Sequence, residues 1–131
     1  MATKKARVFI SFDYDHDRDL KNLLVGQSKN ESTPFIFEDW SIKQETSGWK
    51  ADARTRIQRC GLVIVICGLQ THQAAGVAAE VSIAKDEGVP YYLLRGRKQG
   101  RVRRPRGTSM WWDELHPWKW DNLRVITKVK R

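Results

Sequence analysis

The run Leu62-Val63-Ile64-Val65-Ile66-Cys67 constrains the fold more than any other stretch. Six apolar residues follow one another without polar alternation, so a strand built from them must be shielded from water on both faces. A half-solvated antiparallel strand alternates; a central strand of a parallel sheet, covered by helices on either side, does not. A short polar loop follows, Gly68-Leu69-Gln70-Thr71-His72, and then an Ala-rich stretch, Gln73 to Glu87, with helical spacing. Gly88 is placed to end that helix as a C-cap. Glu80 stands alone as an ionisable residue in the apolar body of the helix. Strand, loop and helix in this order bring it towards the crevice at the carboxyl ends of the strands, where open α/β sheets bind ligands.

The flanking segments repeat the pattern. Arg7 to Phe12 reads as a first strand, running into the acidic turn Asp13-Tyr14-Asp15-His16-Asp17, whose aspartates can cap the next helix. That helix is expected over 17–27, with Leu20, Leu23 and Leu24 on one face. Pro34 to Phe37 is a short second strand and Glu38 to Ile42 a polar loop. A second helix is expected from Thr46-Ser47 to Arg59, with Ala53, Ile57 and Cys60 turned inward. Pro90 to Leu94 supplies a fourth strand, and Leu123 to Thr127 a fifth short strand or a last helical turn. Alternation of strand and helix implies right-handed crossovers and a parallel sheet. The expected fold is therefore α/β, a three-layer open parallel sheet of about five strands in the flavodoxin-like order 2-1-3-4-5.

The 131 residues are expected to form a single domain, 1–131, with a basic, Trp-rich C-terminal segment over 95–131. No apolar run approaches the roughly 20 residues of a membrane span, and the basic N-terminus lacks the apolar core of a secretory signal. Cys60 and Cys67 have the spacing of neither a zinc site nor a redox pair, and are expected as reduced thiols in a cytoplasmic protein. A net charge of +9 is concentrated in Arg95 to Arg106, which contains no acid. Such a run is a solvated loop or a site for a polyanion or phosphorylated ligand. No Gly-x-Gly-x-x-Gly or Walker loop is present, and Cys67-Gly68-Leu69-Gln70 offers no phospho-accepting aspartate. Capping and turn roles account for Asp13, Asp15 and Asp17, and no metal site is assigned.

Taken together, Val8-Phe9-Ile10-Ser11-Phe12, Phe37-Glu38-Asp39-Trp40-Ser41, and Leu62 to Gly68 with Thr71 and Glu80-Val81-Ser82-Ile83-Ala84 resemble Toll/interleukin-1 receptor (TIR) domains. More closely, the chain resembles the small bacterial TIR-like proteins of Thoeris antiphage systems. The likeness covers roughly residues 7–95. It implies cleavage of NAD, as substrate and not as cofactor, with release of nicotinamide and formation of a cyclic or conjugated ADP-ribose signal. It further implies a product-sensing effector protein and a homo-oligomer that completes the site between protomers. Glu80 matches the catalytic glutamate of that family. Its helix usually carries a tryptophan about four residues earlier, where this chain has Gly76.

A carboxylate beside the ribose suits this chemistry, because positive charge develops on the sugar as nicotinamide leaves. Phe12 and Asp13 are expected to line the cleft, or to pack and cap. Asp39 meets a ribose or closes its loop. Thr71 and His72 sit at a helix entry, where backbone amides favour phosphate. Trp40 and Trp49 stack on a ring or pack against the second helix; the tryptophans at 111, 112, 118 and 120 cover the sheet or a subunit contact. Two other classes stay open: a non-catalytic TIR-type interaction module, and a nucleic-acid-binding domain. The last ranks lowest, because no nucleic-acid motif is present.

Overall fold

The apolar run forms the middle of the molecule. In the computed structural model, which describes residues 6–29, 35–41, 47–109, 112–119 and 123, strand β3 (Val63–Cys67) is buried at every position. Its side chains alternate between two cores. Ile64 and Ile66, with Leu62 just before the strand, join Val8, Ile10, Leu20, Leu24, Leu94 and Leu123 on one face of the sheet. Val63, Val65 and Cys67 join Phe9, Ala53, Ile57, Val77, Val81 and Leu93 on the other. Burying each large aliphatic side chain contributes about 1.5–3 kcal/mol, so the strand that reads as doubly shielded is also the energetic centre of the fold.

Around it lie β1 (Ala6–Ser11), α1 (Arg18–Ser28), β2 (Phe35–Trp40), α2 (Trp49–Cys60), α3 (Ala75–Glu87), β4 (Tyr91–Arg95) and β5 (Leu115–Pro117). All four strand pairings are parallel and the order is β2-β1-β3-β4-β5. Helix α1 covers the first core, and α2 and α3 cover the second. This is the three-layer α/β sheet expected from the alternation. As expected, Ala53, Ile57 and Cys60 are the buried face of α2, and Gly88 closes α3 with φ of 69°, the left-handed conformation a side chain would oppose.

Four expectations are corrected. The fifth strand is Leu115–Pro117, inside the Trp-rich segment, pairing with Leu93 to Arg95; of the two alternatives for 123–127, the helical turn and not the strand agrees with Leu123, a buried helical residue, and 124–127 lie outside the described residues. Strand β2 continues to Trp40 where a loop was expected after Phe37, because Phe9 and Ile10 of β1 go on offering it partners. Leu23 is 62% exposed: in α1 the i, i+4 pair Leu20 and Leu24 faces the sheet, with Val25 packed against the same core. Asp17 occupies the N-cap of α1, but its side chain caps nothing. Its carboxylate turns to Arg97 instead, with Oδ1 3.1 Å from the guanidinium.

The run 95–106 is an ordered strap. Gly96 and Arg103 donate their N–H groups to the carbonyls of Cys67 (2.9 Å) and Gly68 (2.9 Å). Pro105 is buried, Val102 packs against the second core, and the Arg104 side chain donates to the Asp113 carbonyl. Arg97 bridges Asp17 and Asp19. Gly68 makes this closure possible, since a Cβ there would lie 2.3 Å from Asp17 Oδ2.

Candidate active site

The first and third strands diverge into helices on opposite faces of the sheet, so their carboxyl ends open onto a crevice. Residues from four segments meet there. Ser11 is the last residue of β1 and Ser41 directly follows β2, its N–H bonded to the Ile10 carbonyl at 2.9 Å. The loop Phe12 to His16 leaves β1, and Gln70 to Gly76 leads into α3, which carries Glu80. Together Phe12, Asp13, Tyr14, Asp15, His16, Ser41, Gln70, Gln73, Ala74, Ala75, Gly76, Val77 and Glu80 wall a cavity of about 340 Å³.

Glu80 is only 3% exposed. A solvent-facing helix carboxylate, the ordinary role for a glutamate in this position, is thereby ruled out. A carboxyl group with so little water needs hydrogen-bond partners, and two hydroxyls are among them. Ser11 Oγ donates to Glu80 Oε1 at 2.7 Å and Ser41 Oγ donates to the same oxygen at 2.6 Å. Both bonds are buried, and both lie at the short end of the O–H···O range. Ser41 Oγ also accepts the Phe12 N–H at 3.1 Å. One hydroxyl thus ties the start of the cavity loop to the carboxylate.

At the rim, Asp13 Oδ2 lies 2.7 Å from His16 Nδ1, and Asp13 Oδ1 accepts the Asp15 N–H at 3.2 Å. The neighbouring carboxylate, first through this hydrogen bond and then through its charge, raises His16 above the ordinary histidine value. Tyr14 stacks against Phe12 with centroids 6.1 Å apart, and the Arg18 guanidinium sits 4.9 Å over the Tyr14 ring. Asp17 is raised by burial, which outweighs the opposing effect of Arg97, whereas the more exposed Asp19 is lowered by the same guanidinium.

The structure brings Glu80, Phe12 and Asp13 to one cavity and leaves other expected residues out. Thr71 is fully buried beneath it, its Oγ1 accepting the Gly68 N–H at 2.7 Å. His72 is half-buried and absent from the wall. The Asp39 backbone lies in β2 opposite Phe9, while its side chain lies outside the described residues. Trp40 and Trp49 pack against the two cores and do not reach the cavity. Trp118 packs on the α1 side and donates its Nε1–H to Gln27; Trp111 and Trp120 lie outside the described residues. Ser11, Ser41, Tyr14, His16, Gln70 and Gln73 are site residues that sequence reasoning missed.

This arrangement, a buried carboxylate on the helix after β3 facing the β1 loop, coincides with a family match. The model of the Thoeris protein ThsB, TIR-like domain, matches residues 9–96. The chain belongs to the ThsB TIR-like family. The match runs from within β1 through β4, takes in the cavity residues and Glu80, and ends at Gly96, as the basic strap begins; β5 lies beyond it. Membership puts the chain in a Thoeris antiphage-defence family, as the resemblance implied. A comparison with curated proteins finds no match. Among the described residues no helix is long and apolar enough to cross a membrane.

Proposed function

We propose that the protein cleaves the bond between nicotinamide and ribose in NAD and makes a cyclic or conjugated ADP-ribose signal in Thoeris defence. The observation that carries this reading is Glu80, a buried carboxylate held by two hydroxyls in the wall of a ligand-sized cavity. When the C–N bond breaks, its electron pair stays on the nicotinamide nitrogen, which leaves neutral and needs no strong acid. The ribosyl carbon takes on oxocarbenium character, and a fixed carboxylate offsets that charge in a poorly hydrated site. An acceptor then forms the new bond to that carbon, and its proton passes to solvent. Ser11 and Ser41 keep the carboxylate in place; Phe12, Tyr14 and Asp13 form the wall that receives the nicotinamide riboside end.

Gly76 lies in the cavity wall one helical turn before Glu80. It leaves open the space that a tryptophan would fill, and that space suits an acceptor bulkier than water. The product then passes to an effector protein that senses it, and assembly of several copies completes the site.

A second reading, an interaction module without catalysis, draws on Trp112, which is 87% exposed. Phage challenge of cells carrying the complete defence system separates the two. Catalysis requires that Glu80→Gln abolish protection while Trp112→Ala retains it. Protection that survives Glu80→Gln and fails with Trp112→Ala would make the chain a module.

A further inference from the structure

The cavity is well built for one end of a dinucleotide and poorly built for the other. At about 340 Å³ it lies at the low end of the range for small-molecule pockets, so a dinucleotide seated at Glu80 extends beyond it. Its walls carry three carboxylates, Asp13, Asp15 and Glu80, against the single imidazole of His16. That charge balance favours an electron-poor sugar and opposes a diphosphate. The phosphates need cations from outside the walls.

The basic strap adjoins the loop that forms one side of the cavity. Gly100 seats against Leu69, where an added Cβ would stand 2.9 Å from a Leu69 methyl. The Arg103 N–H is bonded to the Gly68 carbonyl at 2.9 Å. These two fastenings bracket Arg101 and hold it beside the Gly68 to Gln70 loop, and Gln70 lines the cavity. Arg97 and Arg104 are occupied by Asp17, Asp19 and the Asp113 carbonyl. Arg101 and Arg103 make no ion pair among the described residues, and both stand on the part of the strap fastened to the loop that carries Gln70. Residues 97–106 lie beyond the 9–96 family match.

We propose that Arg101 and Arg103 form the diphosphate-binding arm of the site, receiving the phosphates of a dinucleotide whose other end lies at Glu80. The proposal rests on the NAD reading of the cavity. Calorimetric titration of the full chain with ADP-ribose, and separately with nicotinamide riboside, tests it. Only the first ligand carries the diphosphate. The double variant Arg101→Gln/Arg103→Gln is expected to bind ADP-ribose at least tenfold more weakly and with a flatter salt dependence, and to bind nicotinamide riboside as the wild type does. Unchanged ADP-ribose affinity, or equal loss for both ligands, overturns the proposal. So does a single-stranded oligonucleotide that loses affinity in the variant while ADP-ribose does not, which would make the strap a nucleic-acid surface. Glu80→Gln, followed by nicotinamide release, reports separately on the cleavage reading: release that persists there removes the carboxylate's role while the binding comparison still judges the arm.

Discussion

At the scale of single residues, the site is a carboxylate whose position depends on two hydroxyls from different strands. Removing either leaves a buried acceptor short of one donor. A hydrogen bond to a charged group is worth about 1.5–3 kcal/mol, so Ser11→Ala and Ser41→Ala are each expected to lower kcat by about tenfold to a hundredfold. The effect on KM should be small, because the serines act through Glu80. Ser11→Thr, which keeps the hydroxyl, should restore most of the rate. Steady-state kinetics check this, and a loss confined to KM would remove the serines from the positioning role. At the rim, Asp13 raises His16 above its ordinary value of 6.5; Asp15 and Asp17 push in the same direction. The pairing therefore contributes stability in full below 6.5 and loses it as pH rises through the raised value. A proton NMR titration of the imidazole should show Asp13→Asn bringing His16 back towards the ordinary value, and an unmoved titration would contradict the pairing.

At the scale of elements, one junction joins α1, β3 and the strap. Asp17 leaves its capping role to meet Arg97, and Gly68 provides the space. Gly68→Ala would force its new methyl against a carboxylate that is 2.3 Å from the Cβ position, an overpacking cost of about 1–3 kcal/mol. Arg97→Gln strands the Asp17 carboxylate. Its expected cost is about 2 kcal/mol, below the 3–5 typical of a fully buried pair, because the Arg97 side chain keeps 30% of its solvent contact. Denaturant midpoints of both variants check these values, and wild-type midpoints would mean the strap is held some other way. This junction also marks the limit of sequence reading. The run from Leu62 to Cys67 and the Gly88 cap are written in local composition and were legible. The strap's order depends on backbone carbonyls of Cys67 and Gly68 and on acids some eighty positions away, which no local pattern encodes. Leu115-His116-Pro117 is too short and too polar to announce a strand; it forms because β4 offers an edge. Ser11 and Ser41 look like ordinary strand-end residues, and only the parallel register brings them to one glutamate.

At the scale of the whole molecule, the parallel sheet and the helices α2 and α3 put both cysteines in the second core. Burial pushes the Cys67 thiol up to about 12, so the reactive thiolate is scarce near neutrality. Cys67 is expected to resist alkylation in the folded protein and to react once it unfolds, with mass spectrometry of iodoacetamide-treated protein as the check; rapid labelling of the native chain would contradict the burial. The same architecture opens a crevice between β1 and β3 and lowers a carboxylate into it from α3. The chain belongs to a Thoeris antiphage-defence family, and the proposed catalysis depends on that one carboxylate. The most direct measurement is nicotinamide release from NAD by concentrated wild-type protein and by Glu80→Gln, in uninfected and phage-infected extracts, with folding of both confirmed by circular dichroism. Release by the wild type alone is the expected result. Equal release by both, or none from folded wild-type protein under either condition, would contradict it.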